Sequence, residues 1–143
     1  TLATERIDDF RRRVNEFYDS LQLKNQELYL LPRADVEIDD FSEINEELID
    51  NLAKMEPFGN GNAEPILKIT KATVLSVRRM GADGQHVKLT LRDKNDVALQ
   101  MLAFNAPEEF FREVGDEVSA WFQPTINEWQ GMRSVEGRLL HLA

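Results

Sequence analysis

The chain has 143 residues, 42% of them hydrophobic, enough for one domain of ordinary size with a single core and too few for a multidomain enzyme. It has no cysteine, which excludes disulfides and thiolate metal sites; no apolar run reaches membrane-spanning length, and the opening TLATERIDDF is too charged for a signal peptide, so a cytoplasmic chain without a membrane partner is expected. The formal net charge of -9 argues against nucleic acid, yet Lys plus Arg against Asp plus Glu is 7 against 16 in residues 1–65 and 10 against 10 in residues 66–143, so the second part can still carry a basic face.

From Thr4 to Leu21, Ile7, Phe10, Val14, Phe17 and Leu21 recur at spacings of three and four, the stripe of an amphipathic helix. Thr4 suits the N-cap, with Glu5, Asp8 and Asp9 at the positive end of the helix dipole. Two aromatics on such a helix need a surface to pack on, so residues 1–21 are expected to be the terminal helix of a preceding, absent domain. Residues 22–65 read as a connector: a turn at Pro32, a short strand in DVEIDDF (35–41), and a helix from about Asn45 to Met55 with Leu48, Leu52 and Met55 inward. Pro57 stops that helix, and the Gly- and Asn-rich loop PFGNGN follows.

From residue 66 the period changes to two. Strands are expected at about 66–80, 85–92, 97–104, 117–126 and 132–142; Val87, Leu89 and Leu91 alternating with His86, Lys88, Thr90 and Arg92 mark one buried and one wet face. Between the third and fourth, NAPEEFFREVG reads as a short helix with Pro107 at its first position and Gly115 as its stop. Three strands, a helix and two strands is the order of the five-stranded oligonucleotide-binding (OB) barrel, so residues 66–143 are expected to form an OB-fold domain in an α+β chain. Trp121, Phe122, Phe110 and Phe111 are expected in its core.

Three segments carry a resemblance. Residues 56–65, EPFGNGNAEP, are similar to the segment that introduces the C-terminal OB domain of RecJ-type single-strand-specific DNA exonucleases, with Ala63 where the family favours proline. The run INEWQGMRSVEGRLLHL resembles the family's closing hairpin and last strand, and TLATERIDDFRRRVNEF the helix that directly follows the glycine- and histidine-rich motif of its second catalytic-core domain. The resemblance implies a parent that degrades single-stranded DNA 5′ to 3′ in repair and recombination, using Mn²⁺ or Mg²⁺ held by Asp and His ligands upstream of Thr1. The chain itself is then expected to hold no catalytic residue, metal or cofactor. Asp39 with Asp40, and Glu46 with Glu47 and Asp50, read as caps and solvated faces rather than metal ligands.

An OB barrel works through the face of its second and third strands and the loops 1–2 and 4–5, here about residues 80–84 and 127–131. Arg78, Arg79, His86, Lys88, Arg92, Phe104, Trp129 and Arg133 are therefore the candidate nucleic-acid contacts, cations for phosphates and rings for bases. The acidic first part would oppose binding, so removing residues 1–56 is expected to improve it. The PFGNGN loop has no positive side chain and reads as an architectural joint with Phe58 buried. Two other roles stay open at this point: a docking module that takes the acidic tail of single-strand-binding protein on the same cations, and a structural clamp on the upstream catalytic domains.

Overall fold

The structure is a computed structural model that describes residues 6–20 and 32–143. The chain divides into two compact units, 1–31 and 32–143. In the first, α1 spans Ile7–Ser20, with Asp8 and Asp9 in its first turn and Arg12 bridging Asp9 and Glu16 along one side. Ile7, Phe10, Val14 and Phe17 are all exposed. The expected Thr4 cap and Leu21 lie outside the described residues.

The second unit is a six-stranded mixed sheet: β1 (Val36–Ile38), β2 (Leu67–Met80), β3 (His86–Arg92), β4 (Ala98–Ala103), β5 (Glu117–Trp129) and β6 (Met132–Leu142). The order is β1-β2-β3-β4-β6-β5, and β5 also pairs with β2. β2 does this by serving two neighbours. Its first half pairs with β5 and its second with β3, and register shifts at Ile69/Ala72 and Val74/Ser76 give it the extra twist that the change of partner needs. β1 runs parallel to β2, and β4 parallel to β6.

Alternation decides the core. Val87, Leu89 and Leu91 are fully buried, and they pack with Ile69, Val74, Met101 and Phe122. Residues 32–65 belong to the same core, since Ile38, Phe41 and Ile44 are buried in it and the Phe41 ring meets Phe122 edge-on at 6.2 Å. The segment expected to be a mere connector thus completes the domain. Its helix, α2 (Glu46–Ala53), starts where Asn45 accepts a hydrogen bond from Leu48 N–H at 2.9 Å. Leu48 and Leu52 are half-buried, but Met55 falls beyond the helix and is exposed.

Three local expectations change. The inter-strand helix is only a 3₁₀ turn, Glu108–Phe110; Pro107 precedes it with extended backbone (φ -64, ψ 157), and Phe110 alone of the turn is buried. The expected loop at 127–131 is mostly strand, because β5 continues to Trp129 and only Gln130 and Gly131 turn, with φ of 51° and 77°. Positive φ at both positions is the two-residue hairpin turn whose twist matches its strands. Phe58 is half-buried rather than buried, in a loop held by Asn62, whose Nδ2 donates to the carbonyls of Met55 (2.8 Å) and Pro57 (3.0 Å).

Candidate nucleic-acid interface

On β3 the side chains between the buried valine and leucines form an outer face of His86, Lys88, Thr90 and Arg92. β2 adds to it in register: Arg78 opposes Lys88, and Ser76 Oγ lies 2.9 Å from Thr90 Oγ1. Lys88 is neutralised by Glu136 of β6, with Nζ to Oε1 at 3.1 Å. Arg78 is exposed and has no ion-pair or hydrogen-bond partner among the described residues.

Next to this face lies a groove of about 260 Å³ lined by Leu102, Phe104, Thr125, Ile126, Asn127, Glu136, Gly137 and Arg138. Parallel pairing sets Glu136 beside Gln100 and Arg138 beside Leu102. Arg138 is braced by Glu64, with Nη2 to Oε2 at 2.8 Å, and by Gln123 through Nε at 3.0 Å; Gln123 Nε2 in turn donates to the Glu64 carbonyl at 3.2 Å. Along the hairpin, Thr125 pairs with Glu136, Asn127 with Ser134 and Trp129 with Met132, so Trp129 and Met132 stand on the ribbon face that lines the groove. Phe104, Trp129 and Met132 are 64%, 68% and 69% exposed. Such exposure brings apolar rings to solvent where a base can stack on them.

Four of the candidate contacts are engaged within the protein. Arg79 opposes buried Val87 and so belongs to the inner side of β2, where its guanidinium sits 3.6 Å over the Phe111 ring and bridges Glu108 at 2.7 Å. Arg133 opposes Glu128, the side of the ribbon away from Trp129, and bridges Glu46 of α2 at 2.8 Å. Arg92 stays on the β3 face but pairs with Asp96 at 3.3 Å. His86 is half-buried: Nδ1 accepts a hydrogen bond from Asn105 N–H at 3.0 Å, and the ring meets Phe104 edge-on at 5.2 Å. On the outer face of β3 its ring thus packs against Phe104.

The family described as the RecJ OB domain matches residues 34–141. The chain belongs to that family. It is 30% identical over 137 residues, 95% of its own length, to the single-stranded-DNA-specific exonuclease RecJ of Bacillus subtilis (strain 168), and it spans 17% of that protein. Its fold is similar to crystal structures of RecJ from Thermus thermophilus in complex with Mg²⁺ (TM-score 0.62, 19% identity) and with Mn²⁺ (TM-score 0.61, 22% identity). The first likeness covers 99% of this chain and 21% of that one, the second 100% and 20%.

In this RecJ OB domain the structure adds groove residues that sequence reasoning passed over, Glu136, Arg138, Asn127 and Leu102, and the exposed Met132 on the same strand as Glu136 and Arg138. Outward positions on β6 alternate from Met132, so Met132, Glu136 and Arg138 were readable as one face, but the parallel neighbour that turns this face into a groove wall was not. Among the described residues, no group of three or more His, Cys, Asp or Glu is arranged to hold a metal ion, so these residues do not fit a divalent-metal centre. Asp40 is engaged otherwise: its carboxyl is held below the usual carboxylate range by the Ser42 hydroxyl and backbone N–H, and it accepts from Asn95 Nδ2 at 3.2 Å. No helix among the described residues is long and apolar enough to cross a membrane, which bears on helices alone.

Proposed function

We propose that residues 32–143 bind single-stranded DNA as the strand-gripping part of a longer exonuclease that degrades it 5′ to 3′ in repair and recombination. One observation carries this reading: Phe104 lines the groove and is exposed, Trp129 and Met132 are exposed at the tip of the hairpin whose strands form its wall, and the unpaired cation Arg78 stands opposite Lys88 on the neighbouring face. Rings that stack on any base and a guanidinium that follows phosphate are the two components of sequence-tolerant strand binding. The return of β5 onto β2 supports reading β2 to β6 as the five-stranded OB barrel, whose second and third strands form the working face. Hydrolysis belongs, on this reading, to metal-binding domains of the longer protein that use Mn²⁺ or Mg²⁺, and no step is routed through this domain.

Titrating a labelled single-stranded oligonucleotide against the chain at several salt concentrations tests the proposal. Binding that weakens with salt supports it. An acidic peptide that binds where DNA does not would transfer the face to docking the tail of single-strand-binding protein. Failure of both at low salt would leave a structural clamp.

A further inference from the structure

Resting on that reading, we infer that Glu136 makes the groove select bases bearing an amino group and turns phosphates away from its floor. Glu136 is only 5% exposed, yet it lines the groove at the first pair of the β4–β6 ladder, opposite Gln100. Its Oε1 takes both protein donors, Lys88 Nζ at 3.1 Å and Asn127 Nδ2 at 3.4 Å. Oε2 has no protein donor among the described residues and is not among the fully buried atoms left unpartnered, so it keeps some access to solvent in a residue that lines the groove.

The cations of the floor are already matched. Lys88 is held by Glu136, and Arg138 by Glu64. A phosphate placed there would have to displace a carboxylate from its partner and leave that charge poorly solvated. A base edge meets no such penalty if it donates. A carboxylate is acceptor-only, so it accepts from the N4 amino group of cytosine, whereas uracil and thymine present the O4 oxygen at that position and keep only N3–H, flanked by two carbonyl oxygens, to donate. The strand therefore lies with its bases inward, stacked on Phe104 and Trp129, and its phosphates outward toward Arg78.

Deoxycytidine and deoxyuridine 15-mers differ in this edge and not in backbone charge, so their affinities for the whole chain, compared in one buffer, read the selection directly. The expected result is about tenfold tighter binding of the cytosine strand. Glu136→Gln presents an amide that donates as readily as it accepts; it should bring the ratio close to one while both strands bind with a steeper salt dependence, because Lys88 is released to phosphate. Equal affinities in the unaltered chain, or a cytosine preference that survives Glu136→Gln, would overturn the inference and leave the binding face standing. No binding of either strand at low salt would overturn both. The unaltered chain is informative by itself even where the variant fails to fold.

Discussion

The carboxylate of Asp93 accepts a hydrogen bond at 2.6 Å from the backbone N–H of Phe41, 52 residues earlier in the chain. Asp93 is buried and also accepts from Asn95 N–H (2.8 Å) and Val97 N–H (2.9 Å), so one side chain shapes the β3–β4 turn and ties residues 32–65 to it. Removing an acceptor strands its donors. Asp93→Ala should lower unfolding free energy by about 2–4 kcal/mol, and Asp93→Asn by less because the amide oxygen still accepts. Urea unfolding of the two variants checks the order.

Residues 32–65 contribute Ile38, Phe41 and Ile44 to the core, so removing 1–56 should unfold the domain before it can improve binding. Residues 32–143 should unfold cooperatively by themselves. Residues 66–143 should not, since losing Ile38, Phe41 and Ile44 removes roughly 5 kcal/mol of apolar burial, comparable to the whole stability of a small domain. Thermal unfolding followed by circular dichroism separates the two fragments; a sharp transition for 66–143 would restore the connector to a passive role.

Gly137 allows β6 to pass close to the core. A Cβ there would meet Met101 Sδ and lie 2.9 Å from Phe122 Cδ2. Gly137→Ala should therefore destabilise the domain by about 1–3 kcal/mol through overpacking, seen as a lower urea midpoint.

Arg78 and Arg79 are neighbours in sequence with different tasks. Arg78→Ala should weaken single-strand binding and reduce the slope of log K against log salt by about 0.7. Arg79→Ala should leave that slope unchanged and cost roughly 1 kcal/mol of stability, from its stacking on Phe111. Paired salt titrations and urea curves on both variants check this; equal loss of binding would put both side chains on the DNA.

Trp129 and Arg133 flank the same two-residue turn on opposite faces. Trp129→Ala should cost about 1–3 kcal/mol of binding with little change in stability, given its exposure. Arg133→Ala should leave binding within error, because its charge is spent on Glu46. Fluorescence anisotropy with one labelled strand measures both.

Local pattern alone determined that the strands exist and in what order, and the capped α2, but not the full length of β5 or the shortness of the 3₁₀ turn. Period-two burial at Val87, Leu89 and Leu91 needs only one wet and one dry face, and an Asn before two glutamates starts a helix wherever it lies. EPFGNGNAEP and the closing hairpin likewise carry the resemblance to the RecJ OB domain family in their residues alone. The faces of individual cations were a different matter. Whether Arg79 points outward depends on the register shifts that let β2 serve two partners, and Arg133 turns toward α2 because Gln130 and Gly131 make a turn of two residues rather than a loop of five. The groove itself required the parallel pairing of β4 with β6, which brings Lys88, Glu136 and Arg138 together from positions up to 50 residues apart. A period of two states which side of its own strand a residue occupies; only the closed pairing of distant strands states what stands opposite it.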